Sequence, residues 1–395
     1  MKWPKPELTT LPTIATTDHI PMNEYQYYEF LAIDRPLSAK DMEELRALST
    51  RAQITTVSFT NEYHWGDFKG NPDTLMKRYF DAHIYLANWG HCHLSLRLPR
   101  DALDFKIAAA YGTEDALVIK EAGKHWVIDW DLRESESDRF GGEDDGRGWM
   151  SRLTPLRDEL LRGDWRGLYI GWLAAATAGE LEEDQQEPPL PAGMKQLTAA
   201  QRALVEFLEV DPDLLAGAAL ASAEAEAAPA WEKAEAWLDT LPPDAVRELL
   251  RQLLAGQGLQ AERALNARFA AWLRARHPTA VEPNRRTVAE LQQLAEEARQ
   301  HRLRKETAAR ARAEAERRKL REAALRKLAQ NFDGAWAVAD RQAAQGTASG
   351  YDEARRTLVD LADAYELCAT RAQFEAALQR FMAPHTRRTA LVRRL

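Results

Sequence analysis

The sequence predicts an α+β N-terminal domain followed by an all-α helical region with one long basic helix. Three observations carry this prediction. Between residues 25 and 132, runs that alternate every two residues interleave with helical stripes. After residue 197 every apolar pattern has helical spacing. From Arg286 to Asp333 the chain passes some 48 residues without Pro or Gly, about 70 Å of helix at 1.5 Å per residue.

Residues 1–24, rich in Pro and Thr, read as an extended arm. YQYYEFLAID follows as a strand with apolar residues on both faces: Tyr25, Tyr27, Leu31 and Ile33 on one, Tyr28, Phe30 and Ala32 on the other. Ser38, with Asp41 three residues on, caps a helix bearing Met42, Leu45 and Leu48. Ile54 to Thr60 is β-branched and alternating, a second strand. Asn71-Pro72 starts a helix over NPDTLMKRYFDAHIYLANW, with Leu75, Tyr79 and Phe80 as its stripe. HCHLSLRLP is a third strand, stopped by Pro99, and DALVIKEAGKHWVIDWDL is a hairpin around Glu121-Ala-Gly-Lys124. The order β-α-β-α-β plus a hairpin predicts a compact α+β domain over 25–180, with a ferredoxin-like arrangement as one candidate.

Residues 133–148 are a polar, Gly-rich loop, and Trp149 to Ala178 is helical with a break near Gly163. Leu181 to Gln196, acidic and Pro-rich, reads as a linker. Residues 197–284 then predict a helical bundle: one helix capped by Thr198, others over Trp231–Leu238 and Pro243–Leu254, and one ending at His277-Pro278. A long basic helix is expected over 285–345 and C-terminal helices over 350–395.

Charge divides along the same line. Residues 1–284 hold 30 Lys+Arg against 46 Asp+Glu, a net of −16, whereas 285–395 hold 23 against 15, a net of +8. Such asymmetry points to a tail whose partner or environment differs from that of the body. Two distant cysteines, Cys92 and Cys368, exclude a disulfide framework. The N-terminus has no apolar core of a secretory signal, and no apolar run is long enough to span a bilayer. The expectation is a cytoplasmic protein with no membrane contact.

No GxxxxGK[ST], no GxGxxG after a strand and no GxSxG occurs, which argues against a nucleotide-driven motor or a common hydrolase, and no cofactor is expected. Two clusters invite a metal reading. His91 and His93 share one face of their strand, Cys92 takes the other, and His64 is a potential third ligand for zinc. Asp129, Asp131 and Glu134 at the end of the hairpin offer hard oxygen ligands for Mg²⁺ in phosphoryl or nuclease chemistry. Neither cluster has the spacing of a known site, and both read more economically as solvated surface. The loop EYHWGDFKG presents Tyr63, Trp65 and Phe68 as a candidate contact for a protein partner. The basic helix supplies Arg302, Arg304, Lys305, Arg310, Arg312, Arg317, Arg318, Lys319 and Arg321 as candidate phosphate contacts, with no aromatics between them to stack single-stranded bases. Glu306–Arg310, Glu314–Arg318 and Glu322–Arg326 lie at helix-supporting spacing.

The run YYEFLAIDRPLSAKDMEELRALSTRAQITTVSFTNEYHWGDFKGNP, with KRYFDAHIYLANWG and LRLP after it, resembles an uncharacterised bacterial family whose genes lie beside those of SWIM-type zinc-finger proteins. The resemblance covers roughly the first quarter of the chain. It implies a partner of that kind, one that handles nucleic acid, and it supplies no catalytic residues. The SWIM ligands themselves, Cys-x-Cys followed by Cys-x-His, are not in this sequence. The expectation is a non-enzymatic interaction or adaptor protein that docks a protein partner and touches nucleic acid through the basic helix, independently of its sequence. The alternatives are a metal-dependent hydrolase or nuclease-like enzyme using one of the two clusters, and an architectural homo-oligomer, coiled-coil in kind, built on the long helix.

Overall fold

The computed structural model describes residues 24–64, 66–100, 103, 105–135, 145–224, 231–276, 285–386 and 388–393. The expected arm lies almost wholly outside these residues, as does the His277-Pro278 helix end. The chain forms two compact units, residues 1–299 and 300–395.

The first unit is built on β1 (Gln26–Leu31), β2 (Gln53–Ile54), β3 (Ser58–Tyr63), β4 (Ala82–Ala87), β5 (Cys92–Pro99), β6 (Leu117–Ala122) and β7 (His125–Leu132). They form one sheet in the order β2-β3-β1-β4-β5-β7-β6, and every pairing is antiparallel. This is an α+β domain, but it is not ferredoxin-like. The departure begins at β4, in a segment whose sequence continues the helical stripe of α2 (Pro72–Arg78). The helix stops because the buried Asp81 carboxylate accepts hydrogen bonds from the Ile33 and Asp34 amides (2.7 and 2.8 Å) and pairs with the Arg97 guanidinium (2.7 Å). So anchored, residues 82–87 extend and insert between β1 and β5.

One face of the sheet presents Tyr27, Ile84, Leu86, Cys92, Leu94, Leu96, Leu98, Ile128 and Trp130 to a layer of helices. Those helices are α4 (Trp149–Leu153), α5 (Pro155–Leu161), α6 (Arg166–Thr177), α7 (Ala199–Phe207) and α8 (Pro212–Ala219). Cys92 thus takes the face opposite His91 and His93, as its place in the strand predicts, and Leu94, Leu96 and Leu98 continue that buried row. Gly171 is what lets α6 approach: a Cβ there would stand 2.7 Å from the Trp130 ring. On the other face α1 (Ala39–Leu48), held by the expected Ser38–Asp41 capping box, and α2 enclose a second core of Phe30, Leu45, Phe59, Phe68, Leu75, Met76 and Phe80. A short helix, α3 (Phe105–Ala109), precedes β6.

Residues 181–196 are not a free linker. Tyr111 donates to the Pro189 carbonyl (2.7 Å), the Glu187 amide donates to the Arg286 carbonyl (2.8 Å), and Met194 is buried in the core. Buried Glu187 also pairs with Arg286 (2.8 Å) and accepts from the Tyr169 hydroxyl (2.9 Å). Acidic, Pro-rich composition is a signature of linkers, but here the carboxylate has a dedicated cation and the prolines favour an extended strap across the helical layer. The helices α9 (Trp231–Leu238), α10 (Pro243–Leu254) and α11 (Gly258–Arg276) follow as expected, with the Trp237 and Phe269 rings 5.0 Å apart.

The long helix α12 runs Val288–Ala329, 42 residues. Its start is buried in the first unit at Val288 and Leu291. It ends sooner than expected because Asn331 caps a new helix, its side chain accepting from the Gly334 amide (2.9 Å). From Gln300 onward α12 belongs to the second unit with α13 (Phe332–Ala344), α14 (Ala348–Cys368), α15 (Arg371–His385) and α16 (Thr389–Val392). These enclose a small core of Ala339, Ala343, Leu358, Leu361, Tyr365, Phe381 and Leu391. Among the described residues no helix is long and apolar enough to cross a membrane.

Candidate functional site

Directly paired residues on neighbouring strands share a face, and the register draws two polar rows across the sheet. One reads Phe59–Phe30–His83–Ser95–Asp129–Val118, the other Asn61–Tyr28–Tyr85–His93–Asp131. Both start under α1 and α2 and become polar over β5 and β7. His83 is buried and stacks on Phe30 at 3.9 Å between ring centroids. Burial and the neighbouring His93 cation pull its pKa down to about 3, so it stays neutral.

His93 is the hub. Its Nδ1 lies 3.0 Å from Asp131 Oδ2 and its Nε2 2.9 Å from Ser95 Oγ. Ser95 Oγ donates to Asp129 Oδ1 (2.5 Å), and the Lys120 ammonium lies 2.9 Å from Asp129 Oδ2, an ion pair not aligned as a hydrogen bond. His91 Nε2 reaches Asp131 Oδ1 at 3.1 Å. Burial works against a charged His93, but hydrogen bonds to Asp129 and Asp131 and the charge of both outweigh it and raise the imidazole to about 9. Burial likewise opposes ionised Asp129 and Asp131; the hydrogen bonds and charge of His93, with His91 on Asp131, win and hold both carboxyls below their usual range.

The connectivity Asp131–His93–Ser95 has the outline of a nucleophilic triad. Its charge state is wrong for one. An imidazolium has no lone pair with which to take the serine proton, the serine proton is already given to Asp129, and Ser95 is only 3% exposed. These side chains form a closed ion network, two carboxylates against a histidine cation and a lysine, with His91, His93 and Asp131 partly open to solvent.

The metal alternatives are not assembled. His64 lies just beyond β3, beside Tyr25 (5.2 Å between ring centroids). Tyr25 packs with the helical-layer core, so His64 is on the face opposite His91 and His93. Asp129 and Asp131 are together but neutralised by cations, while Glu134 is exposed in the loop after β7. Among the described residues no group of three or more His, Cys, Asp or Glu is arranged to hold a metal ion. The docking loop is also revised. Phe68 is not a contact point: it is buried against Tyr28, Phe30 and Phe59. Tyr63 is half-buried, its hydroxyl accepting from Asn61 Nδ2 (2.7 Å), and Trp65 lies outside the described residues. The residues that sequence reasoning missed here are His83, Tyr85 and Lys120; the alternation Ala82-His83-Ile84-Tyr85-Leu86 was the available signal for the first two.

The cations of α12 are all exposed. Arg321 is committed elsewhere, to Asp360 (2.7 Å) and Asp363 (2.8 Å) of α14. Arg302 pairs with Glu306 (3.2 Å), and Arg318 stands 4.0 Å from Glu322, which also lies 3.9 Å from Arg326. The expected pairs Glu306–Arg310 and Glu314–Arg318 do not form. Arg304, Lys305, Arg310, Arg312, Arg317 and Lys319 have no ion-pair partner among the described residues. Lys305, Arg312 and Lys319 recur every seven residues, so each is about 10.5 Å along the axis and about 20° round from the last. Ala308 and Ala315 fill the gaps between them.

Comparisons with protein-family models, curated proteins and solved structures gave no match.

Proposed function

We propose that this chain is an interaction protein that docks a protein partner and contacts the nucleic-acid backbone, independently of base sequence, through α12. The observation that carries the reading is the set of exposed cations on α12 that have no ion-pair partner among the described residues. Cations that are already paired gain little from a phosphate; unpaired ones release condensed counterions when they meet one. The closed ion network on the sheet supports the non-enzymatic half, because its histidine and carboxylates satisfy one another. A SWIM-type zinc-finger protein is the partner class that the resemblance implies.

Titration of labelled DNA and RNA against the full chain at rising salt tests the nucleic-acid half. Binding is expected at low salt, with a log–log slope of about −3 if three or four phosphates are neutralised. The triple variant K305E/R312E/K319E is expected to lose it while keeping its helical circular dichroism, since all three side chains point to solvent. Absence of binding at low salt, or binding indifferent to the triple variant, sinks this reading.

A further inference from the structure

The helix α10 is three turns long and buries none of its residues. Val246, Leu250, Leu253 and Leu254 are 39%, 54%, 53% and 91% exposed. At positions i, i+4, i+7 and i+8 they fall within one arc about 100° wide, the width of a face meant to be covered. The residues that are half-buried, Ala245, Leu249 and Gln252, lie round one edge of that arc, and α10 packs against α11. The opposite, open edge is lined by Arg247 and Arg251, one turn apart and 74% and 73% exposed. Their own counter-charges, Asp244 (3.2 Å) and Glu248, sit further round the helix, away from the leucines. Exposed pairs of this kind hold their partners weakly, so the guanidinium groups are free to turn to an incoming carboxylate.

We infer that this face of α10 is where the partner docks, and that the partner element is an amphipathic helix with an apolar stripe and an acidic flank. The inference rests on the interaction reading above and moves its protein-binding surface from the Tyr63–Phe68 loop to α10. Charge decides the occupant. A second copy of α10, packed antiparallel on the same flank, would bring Arg247 and Arg251 against their own images. An anionic membrane would meet the arginines but also Asp244 and Glu248. An acidic helix narrow enough to lie along the leucines meets Arg247 and Arg251 at the edge and stays clear of Asp244 and Glu248 further round, and it lays its i, i+3, i+4, i+7 residues on a face of matching length.

The probe is a fluorescent synthetic helix with leucines at i, i+3, i+4 and i+7 and glutamates on both flanks, titrated into the full chain. A second peptide has lysines in place of the glutamates, and vesicles of equal parts phosphatidylcholine and phosphatidylserine form the third arm. The acidic peptide is expected to bind about ten-fold more tightly than the basic one. L250Q/L254Q is expected to abolish binding of both. R247E/R251E is expected to invert the preference, which a folding defect would not do. Equal binding of the two peptides, no response to either double variant, tighter binding to vesicles, or a dimer that L250Q/L254Q dissociates overturns the assignment. A natural partner retained equally by the wild-type and L250Q/L254Q chains overturns the site while leaving the interaction reading in place; loss of salt-dependent polyanion binding does the reverse.

Discussion

His93 and His83 sit on adjacent strands, their ring centroids 5.9 Å apart, and titrate in opposite directions. His93 is raised from 6.5 to about 9, so its contribution to stability is complete below pH 6.5 and lost as pH rises through 9. His83 is lowered from 6.5 to about 3, so its contribution is present above pH 6.5 and declines as pH falls toward 3. Thermal unfolding of the full chain at a series of pH values is expected to show the first unit losing stability between pH 6.5 and 9. H93Q should flatten that limb; an unchanged slope would refute the assignment of charge to His93. Ser95→Ala removes the donor to a buried carboxylate and should cost about 1–3 kcal/mol in urea unfolding. A fluorophosphonate probe should leave the chain unlabelled, since the Ser95 hydroxyl is buried and its proton is already donated to Asp129; labelling at Ser95 would restore the enzymatic alternative. At this scale the sequence was half legible. Alternation put His91, His93 and Ser95 on one face, but the carboxylates that fix their charge come from β7, and no local pattern announces which strand will be the neighbour.

Helices and strands were legible wherever their signals were local. The Ser38 and Thr198 caps, the Pro243 start of α10 and the Asn71-Pro72 start of α2 all lie where the residues place them. What failed was β4, since its identity depends on pairing with β1 and β5 and on the Asp81 anchor, none of it local. Close helix contacts are similarly hidden. Gly217 lies inside α8, where replacing glycine by alanine ordinarily gains about 1 kcal/mol. Here a Cβ would stand 2.9 Å from the Leu294 carbonyl carbon of α12, a backbone atom that cannot swing away. Gly217→Ala is therefore expected to destabilise, by about 1–3 kcal/mol; a rise in melting temperature would show that α8 can shift aside. The strap makes a parallel case. Arg286→Met leaves Glu187 charged and buried, at a cost of about 3–5 kcal/mol, and E187Q in the same chain should recover much of it.

For the molecule as a whole, composition and periodicity gave the right class, α+β followed by α, with the long basic helix in place. The division between units was misplaced for a physical reason. Proline-rich and acidic residues mark most linkers, so 181–196 was the natural choice, yet Arg286 and Tyr169 bind it into the first unit. The contact pattern instead divides the chain at Arg299 and Gln300, inside an unbroken helix, where no glycine, proline or change of period marks the spot. The charge split survives this revision, since Arg304, Lys305, Arg310, Arg312, Arg317 and Lys319 all fall after Gln300.

The two ends of the sheet bear on how the protein behaves in concentrated solution. At one end β2 is only two residues long; at the other β6 has β7 as its sole neighbour among the described residues and carries Lys120 and Glu121. Short and charged margins discourage foreign strands from adding on and seeding fibrils. Replacing Glu121 by valine, which leaves the Lys120–Asp129 pair in place, should turn β6 into a sticky rim, seen as rising light scattering and thioflavin fluorescence on storage. An unaltered shelf life would place the protection elsewhere.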